Sequence, residues 1–309
     1  MLSFYEAAAR NVRMSRLLFV LLVLVFLAVG GGIGGAYGSV GYGVALALVL
    51  YAILAATAWF NGSSIVLSIH GAKEADPAVH RRLLNVVEEM SIAAGIPVPR
   101  AYVMESGGMN AFAAGRKPEE SLVAVTTGLL DRLSREELQG VVAHEMAHIR
   151  SRDTLYNICA AVLVGSIALL SDMFLRGAPF RGRERTGGRG TARGNAAFLV
   201  LGVLLALLAP LAAKILQMSI SRQREYHADA MSARFTRNPL ALASALAKIS
   251  GEGGRVPGGN RGTQHLFIVN PLRHFPVGSS ALLSTHPSTA LRIQRLKAMA
   301  GVGSATPVS

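Results

Sequence analysis

Cysteine is nearly absent from this 309-residue chain; Cys159 stands alone in an apolar run. One thiol cannot close an internal disulfide, and without a cysteine cluster any metal must be held by histidine and carboxylate groups. Charge is scarce too. Asp, Glu, Lys and Arg supply 16% of residues against 51% hydrophobic, a balance that points to membrane spans rather than an ordinary soluble protein. Acid is scarcer than base, with 18 Asp+Glu against 31 Lys+Arg and a net charge of +13. Nucleic acid or anionic lipid could answer that excess, and beside long apolar runs lipid headgroups are the simpler partner.

From Leu17 to Ala72 there is no charged residue, which leaves room for two spans of roughly 20 residues each. The glycine-rich stretch Gly30–Gly43 divides them into about Leu17–Tyr37 and Gly41–Phe60, with Tyr42 and Trp59 near the interfaces. Arg10, Arg13 and Arg16 place the N-terminus in the cytoplasm. They would also precede a cleavable signal peptide, but the second span that follows at once favours a membrane hairpin. Thr154–Ser171 and Gly194–Ala213 are further uncharged runs, each just long enough to cross a bilayer. Two buried helices of a soluble domain are the other reading of that pair. Between them Arg176–Arg193 carries six Arg and many Gly and reads as a flexible loop. Apart from Phe180 it lacks the interleaved aromatics of a nucleic-acid segment, so no nucleic-acid partner is expected. As the tip of a second hairpin this loop would lie outside, against the positive-inside rule, and the sequence leaves its side open.

The polar segments carry their own start and stop signals. Asp76-Pro77 predicts a helix start, with Asp as cap and Pro at the first position, running to about Ala94 and ending near Gly95. Ala101–Met104, Ala111–Ala114 and Leu122–Thr127 read as short strands separated by turns. Ser134-Arg135-Glu136-Glu137 is a capping box, so a helix begins there and could run on into the third span.

That helix carries His144-Glu145-Met146-Ala147-His148. Four residues of helix put both imidazoles on one face, able to share a metal, while Glu145 can reach a water beside it without ligating. A catalytic zinc site needs a third protein ligand and an open fourth position. Glu225, His227, Asp229 and His286 are the candidates. Ser221–Asp229 reads as helix, with Glu225 and Asp229 on one face and His227 pointing elsewhere. The economical assignment makes Glu225 the ligand and lets Asp229 orient a zinc histidine through its other ring nitrogen. His286 or Arg292 could supply positive charge or a hydrogen bond to the tetrahedral oxyanion.

Four ordered motifs, Asn110-Ala-Phe-Ala113, His144-Glu-Met-Ala-His148, Arg224-Glu-Tyr-His-Ala-Asp229 and Ser284-Thr-His-Pro287, lie among hydrophobic spans. Over nearly its whole length the chain resembles the HtpX-type membrane zinc peptidases, relatives of the CAAX prenyl endopeptidases. The resemblance implies one zinc per chain held by His144, His148 and Glu225, with Glu145 as general base. It implies proteolysis of damaged or misassembled membrane proteins on the cytoplasmic side of the cell (inner) membrane. It also suggests Asn110, Ala111, Phe112 and Ala113 as an edge strand that pairs with substrate backbone. It gives His227 no role.

The expected fold is a mainly α-helical, multi-pass integral membrane protein of about four spanning helices, with a zincin-like α+β catalytic domain containing a small sheet. Residues 1–60 would form a hairpin, 61–153 and 215–299 the two parts of the catalytic domain, 154–214 a second hairpin and 300–309 a tail. Two other enzyme readings stand beside this one. Intramembrane proteolysis is disfavoured by Asp131, Arg132, Arg135, Glu136 and Glu137 just before the motif. A prenyl-protein processing peptidase shares the motifs. The non-enzyme reading is a membrane scaffold with a structural zinc, closed by His286 or His227.

Overall fold

The computed structural model describes residues 4–36, 38–159, 222–251, 256, 266–269 and 288–302. Gly194–Ala213, the Arg176–Arg193 loop, His286 and most of Thr154–Ser171 lie outside them. The chain divides into two units. One holds Met1–Val12, Ser63–Ile158 and Ser219–Ser309; the other holds Arg13–Gly62 and Cys159–Met218.

In the second unit the described residues form two apolar helical stretches, parts of α1 (Phe4–Ala36) and α2 (Val40–Ile69). Both helices are long and apolar enough to cross a membrane. Leu17, Val20, Leu24, Leu46, Val49 and Ile53 point outward and exposed, an arrangement that suits lipid better than water. The two helices meet on small residues. A Cβ added to Gly43 would lie 2.1 Å from the Gly30 carbonyl oxygen and 2.6 Å from the Gly34 Cα, so glycine permits the approach. Phe19 meets Trp59 and Phe26 meets Tyr51 edge to face along the same seam. The α2 helix runs nine residues past the expected end at Phe60, because no strong breaker interrupts it before Gly71.

The first unit is built around a four-stranded sheet, β1 (Lys73–Glu74), β2 (Arg100–Met104), β3 (Ala111–Ala114) and β4 (Leu122–Thr126), in the order β1-β2-β4-β3. β2 and β4 are parallel, and the other neighbours antiparallel. Every residue of β3 and β4 is buried, because both faces are covered. Val103, Ala111, Ala113, Val123 and Val125 face one core with α3 (Arg81–Ala94), α5 (Arg135–Arg150) and α7 (Pro239–Gly251). Tyr102, Met104, Phe112, Leu122 and Ala124 face a second core with Val66, Leu67 and Phe267. The short helix α4 (Thr127–Arg132) follows β4 directly; α6 (Arg222–Thr236) precedes α7, and α8 (Thr289–Met299) lies near the C-terminus.

Helix α3 starts four residues later than the Asp-Pro signal implied. The Asp76 carboxylate instead accepts from the Ala78 N–H (2.8 Å) and the Asp76 carbonyl from the His80 N–H (2.7 Å), so Asp76-Pro77 builds a separate turn. The capping box at Ser134 is present, with both reciprocal bonds formed.

Candidate metal and active site

Helix α5 is fastened at its start and carries the histidines towards its end. The buried Glu137 carboxylate accepts from the Ser134 N–H (2.7 Å), the Ser244 hydroxyl (2.6 Å) and the Lys248 ammonium (2.7 Å), tying α5 to α7. One turn on, the helices nearly touch. A Cβ on Gly140 would lie 2.8 Å from the Leu242 nitrogen, and the Ser232 hydroxyl of α6 donates to the Gly140 carbonyl at 2.7 Å. His144 and His148 follow on the same face, their Nε2 atoms 3.1 Å apart.

One helix break and one later helix supply the partners. The α5 helix does not continue into the next segment: Ser151-Arg152 interrupt it, with Arg152 at φ +54°, before residues 153–159 turn helical again. In a continuous helix Asp153 would lie about 140° around the axis from His148. The break turns it back, and its Oδ2 lies 3.0 Å from His148 Nδ1. On α6 the four-residue spacing aims Glu225 and Asp229 together, and Asp229 Oδ1 lies 3.0 Å from His144 Nδ1. Each imidazole thus meets a carboxylate at its Nδ1 and turns its Nε2 towards the other ring.

Once both rings are neutral, two Nε2 atoms 3.1 Å apart on one helix face can share one cation. The Glu225 carboxylate closes the set, 3.5 Å from His148 Nε2 and 3.8 Å from His144 Nε2. His144, His148 and Glu225 are the cluster of metal-binding character found among the described residues. A tetrahedral zinc with bonds of about 2.0–2.1 Å spaces its ligand atoms about 3.3–3.4 Å apart, so donor types and separations both fit.

Arg292 of α8 is completely buried and engaged on all sides. Its Nε and Nη2 donate to the two Asp229 oxygens (2.9 and 2.7 Å), and its Nη1 donates to the Ile268 carbonyl (3.0 Å) and lies 3.2 Å from Glu225 Oε2. These partners make it a clamp of the two acids on α6. Burial drives the Asp229 carboxyl up, but the charge of Arg292 and the His144 bond outweigh it and hold the group below its ordinary value.

Glu145 lies in the cleft with the histidines, along with Ala113, Thr154, Asn157 and Phe267. Burial pushes its carboxyl up to about 7, even though the Ala113 backbone N–H donates to it. Burial lowers the His144 imidazole. At His148 burial also acts downward, but the Asp153 bond and the charges of Glu225, Asp153 and Glu145 take it up to about 9. His227, half-buried on α6, is lowered by burial while it feels the charges of Asp153 and His148.

The outer edge of β3, expected to pair with substrate at Asn110–Ala113, carries the chain's own Leu266–Val269. Phe267 bridges Phe112 antiparallel, Ile268 N–H donates to the Ala111 carbonyl (3.0 Å), and the Asn110 amide donates to the Val269 carbonyl (2.7 Å). His70 packs against both phenyl rings and anchors this edge. Nothing in the sequence singles out Asp153 as a partner of the motif. Its distance from His148 in sequence forbids the contact in a straight helix, and Arg152 gives no sign of the break.

A histidine pair on a helix beside the edge of a small mixed sheet, joined by a glutamate from a later helix, defines a metallopeptidase. The family model for Peptidase family M48 matches residues 77–300, and the chain belongs to that family. It is 41% identical over 299 residues to a "Protease HtpX homolog" of Dictyoglomus thermophilum, covering 96% of this chain and 95% of the relative. A "Protease HtpX homolog" of Caldanaerobacter subterraneus is 40% identical over 302 residues, covering 96% and 97%. Among solved structures, S. mikatae Ste24p shares the fold at TM-score 0.50 and 15% identity, over 94% of this chain and 67% of that one. The protein is therefore a membrane metalloprotease, with apolar helices of spanning length preceding its protease domain.

Proposed function

We propose that the protein is a zinc-dependent endopeptidase that hydrolyses damaged or misfolded membrane proteins on the cytoplasmic side of the cell membrane. One observation carries the reading: His144 and His148 turn their Nε2 atoms towards each other and towards Glu225, with Glu145 in the same cleft. Those three ligands would hold one zinc, which when bound polarises a carbonyl and acidifies a water. Glu145 takes the proton of the attacking water and returns it to the leaving amine. Its burial favours the neutral form, so the carboxylate accepts a proton readily, and the Ala113 N–H keeps it pointed into the cleft. Asp153 and Asp229 fix the histidine tautomers, and Arg292 prevents Asp229 and Glu225 from repelling each other. A substrate strand would meet β3 at Ala113 and beyond, next to the resident Phe267, through backbone groups that read no particular sequence. That mode suits unfolded segments of many proteins.

Glu145→Gln tests the assignment. The variant should keep its zinc and lose about 10²–10⁴-fold in turnover on an unfolded membrane protein, the range of general acid–base catalysis. Undiminished turnover with zinc retained would refute it. A prenylated C-terminal peptide assayed beside that substrate separates quality control from prenyl-protein processing; preferential cleavage of the peptide would favour processing.

A further inference from the structure

Asn11 lies near the start of α1, at the head of the apolar window Ala9–Gly32, and is buried. Its side-chain amide reaches across about 140 residues of sequence. One Nδ2 hydrogen goes to the Ser151 carbonyl (2.7 Å) and the other to Asp153 Oδ1 (2.7 Å). Both acceptors belong to the break after α5. Ser151 is the residue at which the helix ends, and Asp153 is the acid that the break turns back onto His148. The two oxygens of Asp153 are therefore divided, Oδ1 held by Asn11 and Oδ2 by the imidazole. Arg224 also approaches Oδ1, at 3.6 Å, and is set over the Tyr156 ring.

We propose that Asn11 is a positioning residue for the metal site, acting through Asp153 on the orientation and basicity of His148. The inference rests on the reading of His148 as a zinc ligand. A ligating imidazole is tuned by the group that accepts its other N–H, and that group is effective only while its own orientation is fixed. Without the Asn11 amide, the ion partner that Asp153 Oδ1 keeps among the described residues is Arg224 at 3.6 Å, and the carboxylate can swing towards it and away from His148. The Ser151 carbonyl also loses its donor, which loosens the break that aims Asp153. The amino-terminal part of the first apolar helix thereby becomes part of the support of the metal site.

The test uses the full-length protein in detergent and measures zinc affinity by competition with a chelator, together with turnover at limiting and excess zinc. Asn11→Ala removes the amide; Asn11→Leu fills the same space without a donor and so separates hydrogen bonding from packing. Both should bind zinc about tenfold more weakly, the lower end of the effect of removing such a supporting group, and excess zinc should restore turnover. Ser15→Ala, one turn further along the same helix and also buried, should change neither. Zinc affinity within twofold of wild type in both Asn11 variants overturns the proposal. His148→Ala separates the two layers: if it binds zinc as tightly as wild type, the ligand assignment fails and the proposal with it. If His148→Ala loses zinc while the Asn11 variants do not, only the proposal fails.

Discussion

Replacing Arg292 with Met should expose how the site is held together. Arg292 is 1% exposed, and its guanidinium lies within 3.2 Å of both Asp229 and Glu225. Methionine fills much of the volume but leaves two buried carboxylates facing each other without their cation. Breaking a buried pair in this way costs about 3–5 kcal/mol, a large part of the roughly 5–15 kcal/mol that holds a typical domain together. The cost comes from stranded charge rather than lost packing, so Asp229→Asn in the same background should recover part of it, with a coupling of about 1–3 kcal/mol.

The pH dependence has a definite sign. In the wild type, burial acts to raise the Asp229 carboxyl, but Arg292 takes it below its ordinary 3.8. That interaction stabilises the fold above pH 3.8 and is lost as pH falls through the depressed value. In Arg292→Met burial acts unopposed by the guanidinium, the carboxyl titrates higher, and protonation on folding relieves the strain. The gap between variant and wild type should therefore be widest near neutrality and narrow towards pH 4. Urea unfolding of chelator-treated protein in micelles, followed between pH 7 and pH 4, measures it. A gap below about 1 kcal/mol at pH 7, or one that does not shrink in acid, would refute the clamp.

Two further outcomes follow from the same site. Turnover should rise with pH on a limb below about 7, because Glu145 must be ionised to act as base and a cation beside it favours the carboxylate over its metal-free value of about 7; a kcat/KM profile that falls across that range would count against Glu145. Gly140→Ala should destabilise the protein by roughly 1–2 kcal/mol, since the clash with Leu242 backbone exceeds the gain of about 1 kcal/mol in helix propensity, and thermal unfolding would show it.

What could be read from the sequence was what depends on local spacing. The turn separation of His144 and His148, the matching separation of Glu225 and Asp229, and the Ser134 capping box all act within one helix, and the structure has each of them. The strands were visible as short apolar runs, but their order was not. β2 and β4 pair directly in parallel although β3 lies between them in the sequence, and burial on both faces erased the alternation that would have shown which side met the helices. The partners that needed a break or a long return stayed hidden. Asp153 depends on the positive φ of Arg152, Asn11 lies 142 positions from its acceptor, and Leu266–Val269, itself a short apolar β-forming run, reaches the β3 edge across 159 positions. Asp76-Pro77 misled in the opposite direction, since its cap chemistry is real but serves a turn.

The charges around the histidines make a case for a dication that is independent of ligand spacing. Glu145, Asp153, Glu225 and Asp229 are all buried there. Among the described residues Arg292 and the partly covered Arg224 stand against these four acids, which leaves two negative charges over. The metal-free site answers them with protons. Glu145 is raised to about 7 and His148 to about 9, each upward shift storing a proton where a divalent ion would otherwise supply charge. Zinc binding should then expel protons, because His148 must offer a lone pair and Glu145 gains a cation as neighbour. At pH 7 the release should lie between one and two protons per zinc. Titration calorimetry in buffers of different ionisation enthalpy counts them. Zinc that binds without releasing protons would mean that it sits away from this cluster.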